Sequence, residues 1–175
     1  PAPLLADAGC YETLLAGEPG EFAWPDLDER TASCLCYTSG TTGHPKGVLY
    51  SHRSTVLHAL VGTGTDVLGV TAMDAVLPVV PMFHVNAWGI PFIVPMVGGK
   101  LVLPGRGAGD PATLVDLINS EGVTLALGVP TVWLALLQHL AGTGARVPGL
   151  KRTVVGGAAC PPAIMDEFRD RHGVE

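Results

Sequence analysis

Between Thr38 and Gly47 the chain reads Thr-Ser-Gly-Thr-Thr-Gly-His-Pro-Lys-Gly, with three glycines, four hydroxyl side chains and one lysine. Glycines let successive backbone N–H groups converge on an anion with no Cβ in the way. The hydroxyls of Thr38, Ser39, Thr41 and Thr42 add donors, and Lys46 adds a compact positive charge. A polyphosphate needs that combination. The run is not a Walker A loop, which requires Gly-Lys followed by Ser or Thr and a helix; here Pro45, Lys46 and Gly47 lead into a strand-like run. On residue types alone, a glycine-rich hairpin without a ligand fits the same stretch. Other chemistries find less support. Ser39 lies in a Thr-Ser-Gly context and Gly-x-Ser-x-Gly is absent, so a nucleophile elbow is not indicated. His52 and His58 would not share a helix face, and no metal-ligand spacing occurs.

These residues need a scaffold, and the apolar patterning describes one. Short apolar runs at 33–38, 47–51, 75–80, 99–103, 123–127 and 152–156 read as strands. Their continuous apolar character predicts strands covered on both faces. Longer helical patterns alternate with them, as in an α/β fold with a largely parallel sheet flanked by helices. Ser51 can cap a helix from His52 to about Asp66, and Asp110-Pro111 supplies an N-cap and first-turn proline for 111–120. Thr131–Ala141 carries a leucine-rich face, and Pro161-Pro162 opens 162–172. Residues 1–30, rich in Pro, Gly and acids, read as a surface approach segment with one short helix near Cys10–Ala16.

Composition excludes several classes. Of the 175 residues, 47% are hydrophobic and 15% charged, and mean hydropathy is +0.38, so the chain is not disordered. The apolar run from Trp88 to Gly99 is too short to span a bilayer and carries Pro91 and Pro95. A net charge of −6 argues against nucleic-acid binding. Cys10, Cys34, Cys36 and Cys160 form no disulfide-dense framework and read as reduced thiols of a cytoplasmic protein. The opening Pro-Ala-Pro carries no signal peptide, and with the low charge it predicts an excised piece of a larger domain.

The run from Thr38 to Gly47 resembles the AMP-binding signature of the adenylate-forming superfamily, which includes acyl-CoA synthetases, luciferases and peptide-synthetase adenylation domains. Pro81-Met82-Phe83-His84-Val85-Asn86-Ala87-Trp88 resembles that superfamily's second motif, in the form used by medium- and long-chain fatty acyl-CoA synthetases. Val155-Gly156-Gly157-Ala158-Ala159 is similar to the segment just before the adenine-binding motif. The resemblance implies that Thr38, Ser39, Gly40, Thr41, Thr42, Gly43 and Lys46 hold the β- and γ-phosphates of ATP. It also implies that Thr38 helps to hold Mg²⁺. Lys46 and His84 are the implied catalytic residues, with His84 beside the reacting carboxylate and α-phosphate. Val85, Trp88, Gly156, Gly157 and Ala158 are implied to line the adenylate and acyl site. ATP and a fatty acid are the implied substrates, with CoA as co-substrate; the alternatives are an aryl or short-chain acid, or a nucleotide-binding module without chemistry. The resemblance admits a homodimer, which no sequence feature encodes.

The identity of the acid leaves its own trace. Between Asp74 and Asp110 there is no Asp or Glu, and the second motif lies inside that stretch. An amino-acid substrate would bury an α-ammonium group without a partner, which is costly; amino-acid-activating relatives supply an aspartate in this motif. The apolar residues from Ala87 to Val94 could instead line a hydrocarbon tunnel. In the fatty-acyl branch an aromatic at the position of Trp88 is a gate, while a tryptophan in an apolar helix is also an ordinary core residue. Residues 31–175 are therefore expected to form part of the N-terminal domain of an acyl-CoA synthetase-like fold. The family's adenine motif, hinge and C-terminal domain are expected after Glu175, and no synthetase activity is expected of this stretch alone.

Overall fold

The computed structural model describes residues 9–38 and 43–175. A short helix α1 (Tyr11–Ala16) precedes an antiparallel hairpin of β1 (Ala32–Thr38) and β2 (Lys46–Ser51). Helix α2 (His52–Gly62) follows directly. Then come β3 (Ala75–Pro78), a turn over Val85–Gly89, α3 (Ile90–Val97), β4 (Lys100–Leu101), α4 (Pro111–Ser120), β5 (Leu125–Gly128) and α5 (Pro130–Thr143). The chain closes with β6 (Arg152–Val155) and α6 (Pro162–Glu167), which widens into a π-type turn over Phe168–His172.

Four strands form a parallel sheet in the order β4-β3-β5-β6. Every residue of β3 and β5 is buried, as expected of central strands with helices on both sides. Side chains alternate across a strand. Val76, Leu125 and Leu127 thus join Ala59, Ile90, Ile93 and Val94 in a core against α2 and α3. Leu77 and Ala126 face the other way, into a core with Leu114, Ile118, Trp133, Leu136 and Leu140 from α4 and α5 and Phe168 from the π-type turn after α6. There the Trp133 and Phe168 rings meet edge-on with centroids 5.8 Å apart.

The expected caps form. Ser51 accepts from the Ser54 backbone N–H in a reciprocal capping box, and the Asp110 carboxylate accepts from the Thr113 N–H ahead of Pro111. Other boundaries shift for identifiable reasons. Helix α2 stops at Gly62 rather than Asp66, where Thr63 bonds the Leu60 carbonyl and Gly64 bonds that of Val61. Gly62 itself packs against the Ile93 side chain, leaving no room for a Cβ. The expected 99–103 strand reduces to an edge ladder over Lys100–Leu101, and 75–80 ends its ladder at Pro78. Helix α5 runs one residue earlier and two later than read from the leucine face, starting on Pro130.

One expectation fails. The first two strands are not covered on both faces: Leu35, Tyr37 and Leu49 are exposed among the described residues. Among the described residues they pair with each other, in a two-stranded sheet separate from the parallel one. An unbroken apolar run does not distinguish a central strand from a hairpin arm.

A polar network ties the start of the parallel sheet together. Asp74 accepts from the Thr71 backbone N–H at 2.9 Å, the Thr71 hydroxyl at 3.0 Å and the Thr124 hydroxyl at 2.8 Å. Arg152 lies 3.4 Å from the same carboxylate and donates to the Leu68 carbonyl at 2.7 Å. Burial alone would raise the Asp74 carboxyl, but hydrogen bonds from Thr71 and Thr124, with the Arg152 charge, hold it below the ordinary range. A depressed folded-state value means stability present above the unfolded pKa, near 4, and lost as pH falls through the lower folded value. Asp74→Ala is expected to cost about 1–2 kcal/mol at neutral pH, since it takes the shared acceptor from the half-buried Thr124 and Arg152 donors. Urea unfolding at a series of pH values checks this: the gap between wild type and variant should close in acid.

Candidate active site

In open parallel sheets, ligands bind in the crevice outside the carboxyl ends of the strands. Two of the motif segments emerge there. The segment around His84 follows β3, and Gly156–Ala158 follows β6. Val85, Asn86, Ala87 and Trp88 all carry positive φ, between 47° and 56°, and Gly89 continues the run at 77°. Four successive non-glycine residues in left-handed conformation are costly, at roughly 1–2 kcal/mol each. Such strain is retained where the surroundings over-determine it, and it concentrates at functional sites. Here the Ala87 N–H bonds the His84 carbonyl at 3.2 Å, and Ala87 is fully buried beneath the turn. The left-handed path leaves His84 and Val85 exposed and Trp88 half-buried.

Trp88 meets the third motif. A methyl group placed on Gly156 would lie 2.8 Å from Trp88 Cη2 and 2.9 Å from Cζ2, so the six-membered end of the indole abuts bare backbone. Next to it Gly157 has φ 79°, a conformation that suits glycine, and Ala158 is exposed. Trp88 also packs against the α2/α3 core without being among its fully buried members. It is thus an aromatic wall at the crevice, in contact with the core.

The hairpin carries the first motif. Thr38 closes β1 half-buried and stands opposite Lys46 in the pairing register, its hydroxyl 3.5 Å from the Lys46 carbonyl. Gly43 has φ 87° and both Gly43 and Lys46 are exposed. Ser39, Gly40, Thr41 and Thr42 lie outside the described residues. The hairpin reaches the second motif through Cys36, whose buried thiol donates to Asn86 Oδ1 at 3.0 Å. Asn86 tolerates the left-handed conformation better than most residues. Among the described residues no cluster of three His, Cys, Asp or Glu is placed to hold a metal ion.

The structure gives a place at the turn to a residue that the sequence reading weighed only as a metal ligand and set aside. His58, on α2, places Nε2 at 3.2 Å from the Trp88 carbonyl. With Tyr50, Thr55, Asn86, Gly89 and Phe92 it lines a pocket of about 260 Å³ beside the turn. The sequence signal was Gly89: a glycine directly after a bulky motif marks a close approach, but it does not say by what.

Residues 4–175 match the AMP-binding enzyme family. The chain belongs to that family. It is 58% identical to 3-methylmercaptopropionyl-CoA ligase of Ruegeria lacuscaerulensis and 59% identical to medium-chain-fatty-acid–CoA ligase of Ectopseudomonas oleovorans, over 94% of this chain in each case. It spans 30% of the length of each of these relatives. Its fold matches the inhibitor-bound N-terminal domain of FACL13 from Mycobacterium tuberculosis with a TM-score of 0.80 and 26% identity, over 94% of this chain and 40% of that one. The expected α/β architecture, with its parallel sheet between helices, is that of the N-terminal domains of adenylate-forming enzymes.

The Trp88–Gly156 contact is directly testable. Gly156→Ala is expected to displace the indole, changing the near-UV circular dichroism while leaving the far-UV spectrum unchanged. An unaltered near-UV spectrum would mean the ring does not rest on Gly156.

Proposed function

We propose that the whole protein is an AMP-forming acid–CoA ligase that activates a medium- or long-chain fatty acid. The observation that carries this reading is the crevice where the strained His84–Trp88 segment meets Gly156, joined through Asn86 to the hydroxyl- and glycine-rich hairpin. A carboxylate oxygen attacks the α-phosphorus of ATP, the bond to the β-phosphate breaks, and pyrophosphate leaves with its electron pair. The CoA thiolate then attacks the acyl carbon, and AMP departs with the acyl C–O bond electrons.

Each residue has a distinct part in this reading. Thr38, Ser39, Gly40, Thr41, Thr42, Gly43 and Lys46 hold the β- and γ-phosphates, with Lys46 supplying charge as pyrophosphate departs. His84 donates to the oxygen atoms on which charge develops, which is stabilisation by a placed donor. Val85 and Trp88 flank the acyl group, and Gly156, Gly157 and Ala158 offer backbone at close range. A Mg²⁺ ion held mainly by phosphate oxygens and water suits a site that offers one threonine hydroxyl, Thr38; bound there, it would neutralise phosphate charge.

The acid-free stretch between Asp74 and Asp110 supports an acid without an ammonium group; of the expected tunnel residues, Ala87, Ile90, Ile93 and Val94 are taken up by core packing, which leaves Trp88 and Phe92 as the apolar side chains beside the turn that favour a hydrocarbon tail. The Ruegeria relative's name gives weight to a second reading, a short thioether acid. The free thiols of all four cysteines fit a reducing compartment, and the cytoplasm is the proposed location. Activity is assigned to the whole protein, and residues 1–175 alone are expected to make no acyl-CoA.

Acid-dependent pyrophosphate–ATP exchange by the whole protein, across acids of increasing chain length, tests the reading. His84→Ala is expected to lower kcat about 100-fold, as loss of a transition-state donor does. Lys46→Ala should raise the KM for ATP by about 10-fold or more, the worth of a charge-assisted hydrogen bond. Trp88→Ala should shift the preferred chain length while leaving the KM for ATP in place; equal losses for every acid would make Trp88 a packing residue only. Nucleotide binding without exchange for any acid would replace the ligase by a nucleotide-binding module.

A further inference from the structure

We infer that His58 is a positioning residue for acid activation, holding the left-handed Val85–Gly89 turn in the conformation that presents His84 and Trp88. This rests on the ligase reading above. A left-handed stretch of L-residues is not self-supporting, and its carbonyls need partners. The Ala87 carbonyl accepts from the Ile90 N–H within the chain. The Trp88 carbonyl accepts instead from His58 Nε2–H at 3.2 Å, from an element thirty residues away.

The packing is as specific as the hydrogen bond. A methyl group on Gly89 would lie 2.5 Å from His58 Cδ2 and 2.6 Å from Nε2, so the imidazole edge sits directly on the Gly89 backbone. Gly89 therefore serves twice, accepting φ 77° and admitting the ring. From the other side Cys36 bonds Asn86. The two braces stand on the strand that enters the phosphate loop and on the helix that follows the strand leaving it. The reacting acid and the nucleotide loop are thereby referenced to one rigid set of backbone groups.

His58 is not a core residue. It is exposed overall and belongs to neither buried apolar cluster. Its removal takes no buried apolar surface from the fold, but it frees the Trp88 carbonyl and opens the 260 Å³ pocket behind the turn. The loss should fall on geometry at the reacting carboxylate rather than on nucleotide affinity.

The test uses His58→Ala and His58→Gln in the whole protein, the glutamine amide supplying a donor at similar reach. In acid-dependent pyrophosphate exchange, His58→Ala is expected to lower kcat about 10-fold or more, as small misplacements of reacting groups do. The KM for ATP should stay within about twofold, the split expected when only transition-state positioning is lost. His58→Gln should recover most of kcat. A second readout needs no activity: with 5-fluorotryptophan incorporated, the ¹⁹F resonance of Trp88, assigned by Trp88→Phe, should shift or broaden in His58→Ala while those of Trp24 and Trp133 stay in place. An unmoved Trp88 resonance, an unchanged kcat, a KM for ATP rising in step with the loss, or no recovery in a folded His58→Gln would each overturn the inference. Absence of exchange in the wild type with every acid would overturn the ligase reading instead, and the Trp88 resonance would still decide whether His58 holds the turn.

Discussion

Positive φ at Val85, Asn86, Ala87 and Trp88 is the constraint around which the crevice is organised. A right-handed path from His84 into α3 would carry these side chains to other positions, and Trp88 would lose its seat on Gly156. The conformation is unfavourable on its own terms, so the rest of the fold must select it. Burial of Ala87, the glycine at 89, the bare backbone at 156 and the two side-chain bonds from Cys36 and His58 do so together. Removing one brace weakens a selection made by several.

The parallel sheet sets the distance between the two segments that meet there. Because β3 and β6 flank β5, the chain leaving β3 and the chain leaving β6 emerge two strand spacings apart, roughly 10 Å. That gap is too wide for backbone contact and suits a large side chain. An indole reaching from one segment to a glycine on the other spans it. At the opposite ends of the strands the Asp74–Arg152–Thr124 network joins the loop before β3 to the starts of β5 and β6, so the strands that carry the crevice are fastened at their far ends as well.

Much of this was legible in the residues. The strands of the parallel sheet, the Ser51 and Asp110 caps and the proline at the start of α4 follow from local chemistry, and the structure has them. The Thr38–Gly47 run was likewise visible in its glycines, hydroxyls and lysine, while the Pro81–Trp88 and Val155–Ala159 segments stood out only through their resemblance to a known family. What was not legible was non-local. No periodicity separates Leu35 and Leu49 on an exposed hairpin from Leu125 and Leu127 in a central strand, because both runs are simply apolar. Nothing in the order Val85-Asn86-Ala87-Trp88 announces left-handed backbone, since only Asn86 favours it. His58 was set aside because its partner is a main-chain carbonyl, which has no side-chain signature.

The hairpin's isolation from the parallel sheet has an evolutionary reading. Among the described residues, β1 and β2 share no ladder with β4-β3-β5-β6. A residue inserted into or lost from the segment between β1 and β2 therefore leaves the β4-β3-β5-β6 ladders, and the period-two alternation that divides the two cores, untouched. The hairpin and the crevice can vary separately, provided that Cys36 and His58 keep their reach to the turn. A seam of this kind lets the hairpin change by short segments without rebuilding the two cores beneath.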